Sequence, residues 1–200
     1  RGEALAAIAS VSRLTLVSRS PEAETAIEQR ADGGSLAEPQ ASGAPPGTAV
    51  RVEELFYNTP ARRKFLKSDV TERRHISNLV TRYALAYPGV RFSLEMDGRQ
   101  VLRSSGSGDR RELLAALYSP DLARRMIEVD ADYGDIQVHG FLGPTDATRA
   151  NRSQLTFFVN GRWVQDIGLS TALVQGYHGM LMVGRYPIAV LFVELPADGV

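Results

Sequence analysis

The sequence predicts an α+β protein built from two successive α/β units. Segments with the alternating apolar pattern of strands are interspersed with segments of helical periodicity, and this mixture occurs twice along the chain. A stretch rich in Gly and Ser at residues 104–108 separates the two mixtures and has the composition of a linker. A nearly uninterrupted apolar run at residues 188–195 is typical of a central strand buried on both faces.

The first unit combines short strands with helices. We predict a helix at residues 2–9 and strands at residues 12–20, 24–30 and 48–55. Residues 31–46 are rich in Gly, Pro, Ser and Ala, so we expect a mobile loop there. In the last of these strands, Val50 and Val52 fall on one face.

Two helices and a hairpin complete this unit. Thr59 followed by Pro60 has the pattern of a helix N-cap and a first helical residue, which predicts a helix at residues 61–67. A longer helix begins at Asp69 and ends before Pro88. A hairpin with an Asp-Gly turn then leads to the boundary, which we place near residues 102–109.

The second unit begins with a helix capped by Asp109, and a later helix is capped by Asp166. Its predicted strands are residues 127–129, 136–142, 155–159, 162–164 and 188–195. Between two of them, Asn160 and Gly161 form a strong signal for a type I′ hairpin turn.

The bulk composition excludes several classes. The chain has no Cys, which excludes a disulfide framework and Cys-based metal sites and fits a cytosolic protein. Its 23 basic and 23 acidic residues cancel, so any nucleic-acid binding must depend on a local patch. No apolar run approaches the roughly 18–20 residues that a membrane span needs.

Three local patterns could bind anions, and each has an ordinary alternative. Gly2 directly before a helix leaves backbone N–H groups accessible to phosphate, although many helices begin this way. The basic cluster that begins at Arg62 and Arg63 could contact phosphates or could be a solvated helix face. Arg162 directly follows a tight hairpin turn, which would hold it toward a phosphate, or it is a simple surface arginine.

Other patterns are rejected as catalytic or metal-binding. Glu54 and Asn58 have the Glu-x-x-x-Asn spacing of some ATPases, but they lie at a strand end and in a turn rather than on one helical face. The acidic cluster Asp130, Asp132 and Asp135 lacks the Gly and terminal Glu of a calcium loop. The sequence therefore predicts no catalytic residue and no metal ligand within this chain.

Three segments together resemble the MutL family of DNA mismatch-repair proteins: RGEALAAIASVSRLTL, GTAVRVEELFYNTPARRKFLKS and FFVNGRWVQD. That family belongs to the GHKL ATPases, with gyrase B and Hsp90. The resemblance implies an incomplete Bergerat-type α/β sandwich at residues 1–105. It implies a transducer domain of the ribosomal-protein-like type, with a left-handed βαβ element, at residues 106–200.

The resemblance also implies ligands and partners. The family binds ATP with Mg²⁺ and dimerises when ATP is bound. It contacts the backbone of mismatched or single-stranded DNA. It works with the mismatch-recognition protein MutS in the bacterial cytoplasm at the nucleoid. By resemblance, Arg162 contacts DNA. The residues that match the family's nucleotide contacts are Arg1, Gly2, Glu3, Ala4, Leu5 and Thr48.

Some of the family's motifs are absent from these residues. The chain contains no Asp-x-Gly-x-Gly adenine loop, and its only Glu-x-x-x-Asn match is the one rejected above. We therefore expect this chain by itself neither to bind ATP tightly nor to hydrolyse it, which calorimetric titration can check. Two alternatives stay open: a GHKL ATPase like gyrase B, and a DNA-binding or interaction module without catalysis.

Overall fold

A computed structural model describes residues 3–196 of the chain, which form two compact units that meet between Glu72 and Arg73. The division falls inside a long helix, α3 (Asp69–Ala86), rather than near residue 105. Among the described residues, no helix is long and apolar enough to cross a membrane.

The first unit is a small antiparallel sheet with a helix on one face. Its elements are α1 (Ala4–Ala9), β1 (Arg13–Arg19), β2 (Ala26–Asp32), β3 (Ser35–Leu36), β4 (Gln40–Ser42), β5 (Gly47–Glu53) and α2 (Pro60–Arg63). The strand order is β3-β2-β1-β5, and β4 also pairs with β2. The prediction of a loop at residues 31–46 is wrong. The end of β2 lies there, and so do the short strands β3 and β4, each of which pairs with β2.

The two faces of this sheet differ because side chains alternate along each strand. On one face, Leu14 packs with Ala31 and with Ala9 of α1. On the other, Arg13 forms ion pairs with Asp32 and Glu54. The predicted helix after β5 is shorter than expected, since α2 is a single turn.

The second unit is a mixed five-stranded sheet with helices. After α3 come β6 (Ser93–Met96), β7 (Arg99–Arg103), α4 (Arg110–Leu117), α5 (Pro120–Arg125), β8 (Ile127–Tyr133), β9 (Ile136–Leu142), β10 (Thr148–Arg149), a 3₁₀ turn (Arg152–Gln154), β11 (Leu155–Val159), β12 (Arg162–Val164), α6 (Ile167–Gly176), β13 (Tyr186–Pro187) and β14 (Ala189–Glu194). The strand order is β12-β11-β14-β9-β8. β11 and β14 are parallel, and the connection between them contains α6.

The core of the second unit lies against β14. Ile188, Val190 and Phe192 are almost completely buried, which confirms the prediction of a central apolar strand. They pack in one cluster with Ala84 and Leu85 of α3, with Leu102 of β7, and with residues of α4, α5, β9 and β11. The helix and hairpin that the sequence assigns to the first domain therefore help to build the core of the second unit.

The first residue of the Gly- and Ser-rich stretch after β7 is part of this packing. Ser104 is 3% exposed, its hydroxyl donates to the carbonyl oxygen of Val90 at 3.2 Å, and it accepts from the N–H of Phe92 at 2.7 Å. A separating linker would leave its backbone and side chains in solvent. In the structure, residues 104–108 connect two elements of one unit.

Candidate functional site

Thr48 and α1 lie on the same face of the first sheet. In the register of β1 and β5, Thr48 is opposite Ser18, Val50 is opposite Leu16, and Val52 is opposite Leu14. Leu14, Leu16 and Ser18 alternate along β1, so their side chains share one face of the sheet. The helix α1 packs on that face through a contact of its Ala9 with Leu14. Two segments that were selected separately in the sequence are thus brought to one surface.

The two segments are at opposite ends of that surface. Ser18 lies four residues beyond Leu14 along β1, which corresponds to about 13 Å at the usual rise of a strand. The hydroxyl groups of Thr48 and Ser18 are 2.8 Å apart and form a hydrogen bond. Because Thr48 is exposed, its hydroxyl remains open to a ligand on the same face.

The N-terminus of α1 offers backbone donors. Glu3 is the N-cap residue, and its side chain makes no capping hydrogen bond. The first N–H groups of a helix are not satisfied by its own regular hydrogen bonds, and in α1 these include the N–H groups of Ala4 and Leu5. Both residues are exposed. Arg1 and Gly2, the other members of this predicted segment, lie outside the described residues.

The turn after β5 is tied to the start of the sheet. The side-chain amide of Asn58 donates to the carbonyl oxygen of Ser10 at 2.9 Å, and the N–H of Phe56 donates to the carbonyl oxygen of Val11 at 2.7 Å. The hydroxyl of Tyr57 donates to Asp32, which raises the pKa of Tyr57. Both polar side chains therefore make structural contacts: Asn58 holds the segment between α1 and β1, and Glu54 pairs with Arg13 of β1.

In the second unit, Arg162 follows a rigid hairpin turn. Asn160 and Gly161 have φ values of 46° and 72°, which fits the predicted type I′ turn. The side-chain oxygen of Asn160 accepts from the N–H of Leu195 at 2.8 Å, and its amide nitrogen donates to the carbonyl oxygen of Leu195 at 3.0 Å. The turn is therefore fastened to the end of β14, and Arg162 is exposed beside it.

Arg162 also lines a groove between α3 and the β11–β12 hairpin. We name this the aromatic groove and define it by its lining side chains, Arg82, Tyr83, Tyr87, Phe158, Arg162 and Trp163. Sequence reasoning missed the groove because α3 and β12 are far apart along the chain. The one sequence signal for the groove was Trp163, directly after Arg162, and the sequence analysis assigned no function to that tryptophan.

The other residues considered in the sequence, the acidic and basic clusters, form no binding site among the described residues. Within residues 3–196, no three His, Cys, Asp or Glu side chains are close enough together to hold a metal ion. The basic residues Arg62 and Arg63 are exposed on the single turn of α2. Arg73, on α3, forms an ion pair with Asp97 at 2.6 Å.

The chain is similar in sequence to known proteins. Residues 114–200 match the family described as DNA mismatch repair protein, C-terminal domain. The MutL proteins of Streptococcus equi subsp. zooepidemicus (strain MGCS10565) and Shouchella clausii (strain KSM-K16) are each 42% identical over 195 residues. The match covers 98% of this chain and 30% of each of those proteins, so the chain spans about a third of their length.

Solved structures extend the comparison to the fold. The Aquifex aeolicus MutL ATPase domain complexed with ADP superimposes with a TM-score of 0.78 and 31% identity, covering 97% of this chain and 72% of that one. The gyrase B subunit of Myxococcus xanthus gives a TM-score of 0.50 with 16% identity over 96% of this chain and 59% of that one. The second likeness concerns the fold alone.

Proposed function

The chain belongs to the MutL family of DNA mismatch-repair proteins, and from this we propose that it is part of an ATP-dependent switch that binds DNA during repair. ATP bound to the first unit would change contacts with a second copy of the protein and with MutS in the bacterial cytoplasm. The second unit would hold DNA. Because the chain spans about 30% of its curated relatives, these activities are proposed for the protein of which it forms a part.

The nucleotide part of the proposal is supported by the shared face of the first sheet. The N–H groups at the start of α1 suit phosphate oxygens, because they lack intrahelical partners and the helix dipole favours anions there. Thr48 at the far end of β1 offers a hydroxyl to the other end of the same ligand. The Aquifex relative, described as complexed with ADP, points to the same class of ligand.

Magnesium is the metal ion that would accompany ATP in the proposed function. The family's ATP carries Mg²⁺, yet the part of the chain from Glu3 to Pro196 holds no cluster of carboxylates or imidazoles that could ligate it. We propose no magnesium ligand among the residues of this chain. Glu54 and Asn58 do not replace them, since each is engaged in the contacts that fasten the turn after β5.

The proposal of DNA binding depends on one observation: exposed Arg162 follows a hairpin turn that hydrogen bonds hold to the end of β14. Because the backbone of this turn is already held in place, only the side chain of Arg162 has to be ordered when its guanidinium contacts a phosphate. A gyrase-B-like role fits less well, because identity to gyrase B is 16% whereas identity to MutL reaches 42%. A DNA-binding module without catalysis is the role proposed for these residues in isolation.

The test is DNA binding by the chain and by Arg162→Glu. Loss of one phosphate contact and a reversed charge should weaken binding about tenfold or more for any sequence, and should reduce the slope of log affinity against log salt by about 1. Fluorescence anisotropy with labelled DNA between about 50 and 200 mM salt measures both. Arg124→Glu, at an exposed position of α5, is the matched control. Unchanged affinity of Arg162→Glu at low salt would refute the role of Arg162.

A further inference from the structure

β8 is an edge strand whose outer side has no neighbour among the described residues. It stands last in the order β12-β11-β14-β9-β8, and all 7 of its residues pair with β9. Alternate residues of a strand direct their N–H and C=O groups to opposite sides, so about half of those of β8 point away from the sheet. Such a row of free donors and acceptors is a template for one more strand.

The usual protections of an edge strand are missing from β8. Proteins keep their edges short, or interrupt them with a proline or a bulge. The opposite edge of this sheet, β12, has only 3 residues. β8 contains no proline, and its register with β9 is unbroken from Ile127 to Tyr133. At the usual rise of a strand, it offers roughly 23 Å for pairing.

The two faces of β8 carry different side chains, because side chains alternate along a strand. One face carries the exposed carboxylates of Glu128, Asp130 and Asp132. The other face is apolar, and its residues Ile127 and Tyr133 are 62% and 84% exposed. A strand added at this edge therefore meets negative charge on one side and apolar surface on the other.

A cavity of about 460 Å³ lies beside the acidic face. Its lining includes the three acidic residues of β8, His139 of β9, and Asp109, Arg110 and Arg111 at the start of α4. Four acidic residues and two arginines thus share the cavity, which leaves an excess of negative charge. The space is larger than one lysine or arginine side chain.

The two arginines of this cavity are already engaged in the fold. The guanidinium group of Arg111 donates to the carbonyl oxygens of Ala123 and Met126 at 2.8 and 3.0 Å, and it also donates to Glu128 at 3.2 Å. The guanidinium carbon of Arg110 lies 4.2 Å from the centroid of the Phe192 ring.

The other two carboxylates of β8 are available to a ligand. Asp130 and Asp132 take part in none of the ion pairs formed within residues 3–196. Both are exposed. The charge that the acidic face presents to a ligand is therefore negative, and it favours a cationic side chain.

We propose that β8 is a docking edge for an extended segment of a partner protein in which basic and apolar residues alternate. Main-chain hydrogen bonds to β8 supply the affinity, and the alternating side chains supply the selectivity. The basic residues of the segment enter the cavity toward Asp130 and Asp132. Its apolar residues contact Ile127 and Tyr133.

Charge decides between this occupant and two others. Pairing of β8 with β8 of a second copy would place one acidic row beside another, which is destabilising. The phosphates of DNA would meet the same carboxylates and be repelled. A basic extended segment is the occupant that satisfies both the free backbone groups and the acidic row.

The probe is a peptide of about nine residues with blocked ends, in which Lys and Val alternate. A peptide of the same composition, with its lysines in one block, is the comparison. Calorimetry should show about tenfold tighter binding of the alternating peptide or more. Hydrogen exchange should slow at alternate amides of β8 when that peptide is bound, because they become donors to the added strand.

Two methylated peptides test the main-chain pairing directly. One carries a methyl group on every lysine backbone nitrogen, and the other on every valine backbone nitrogen. Only one of these two sets of N–H groups can face β8. One peptide should therefore lose about tenfold more affinity than the other, although both carry the same charge.

Variants test the charge. Asp130→Lys should weaken binding of the Lys-Val peptide about tenfold, and should improve binding of a Glu-Val peptide of the same length. Glu95→Lys, at an exposed position of β6, changes the net charge equally and should alter neither affinity. Thermal unfolding checks that both variants are folded, and the peptide comparisons need only the unmodified chain.

Three outcomes would overturn the docking edge. Equal binding of the alternating and blocked peptides, or binding without slower exchange in β8, would show a general attraction between charges. Slower exchange in β8 that increases with protein concentration, with no peptide present, would show that a second copy occupies the edge. None of these measurements uses nucleotide or DNA, so their failure leaves the proposed function standing.

Discussion

Gly140 lacks a side chain because the neighbouring strand fills the place where one would be. It lies in β9 with a φ of 147°, and a Cβ added there would be 2.2 Å from the carbonyl oxygen of Val190 in β14. That oxygen belongs to the backbone of the central strand and cannot rotate away. The glycine therefore allows β9 to approach β14 closely.

Gly140→Ala should consequently destabilise the protein by roughly 2–4 kcal/mol, from an unfavourable φ and from displacement of the β14 backbone. Gly134→Ala is the control, since Gly134 also has a positive φ of 59° but has nothing within 4 Å of an added Cβ. It should cost about 1 kcal/mol. Urea unfolding of both variants measures the difference, and equal losses would show that crowding against β14 is unimportant.

At the scale of the element, the N-cap residues of the helices differ in whether their side chains form a capping hydrogen bond. Asp109 begins α4 and accepts a hydrogen bond from the N–H of Arg111 at 2.8 Å, and Asp166 begins α6 and accepts from the N–H of Leu169 at 2.8 Å. Thr59 occupies the same position in α2, but its buried hydroxyl has no hydrogen-bond partner among the described residues. The sequence pattern predicted all three positions without distinguishing them.

Asp109→Ala and Asp166→Ala should each lower the free energy of unfolding by about 1 kcal/mol, because a backbone N–H loses its acceptor. Thr59→Ala should cost less than about half that, because no capping bond is lost. Chemical denaturation with a common slope gives the three values. A loss of similar size for Thr59→Ala would mean that its hydroxyl makes a capping bond in solution.

The elements predicted correctly are those whose signal is local. The Asn160-Gly161 turn needs only the backbone freedom of those two residues, and the apolar run of β14 needs only its own composition. β3 and β4 have two and three residues, so they have no readable alternation and exist because β2 offers hydrogen-bonding partners. The bonds from Asn160 to Leu195, which fasten the turn, also connect residues far apart in sequence.

At the scale of the molecule, the candidate sites depend on tertiary packing. Each residue assigned from the family resemblance was visible in its own motif. That Thr48 and α1 share a face follows from the register of β1 with β5. The aromatic groove joins α3 to β12, and neither segment alone indicates it. The composition of residues 104–108 indicated a linker because it reports flexibility of the backbone and nothing about the burial of Ser104.

The division of the chain can be tested by cutting it at the two alternative places. A chain of residues 69–200 keeps α3 and the β6–β7 hairpin, whereas a chain of residues 106–200 lacks Ala84, Leu85 and Leu102. Removing one buried leucine side chain costs about 2–5 kcal/mol, and a domain is stable by only about 5–15 kcal/mol. We expect cooperative thermal unfolding from the longer chain and no cooperative transition from the shorter one.

Circular dichroism and the emission of Trp163, which both chains contain, follow the two transitions. Leu102→Ala in the longer chain is the matched control. It should lower the free energy of unfolding by about 2–4 kcal/mol while leaving the transition cooperative, because it removes only one of the three side chains. If residues 106–200 unfold cooperatively by themselves, the second unit does not need α3 or the β6–β7 hairpin for its stability. The family's domain boundary near residue 105 would then also be the boundary of an independently stable unit.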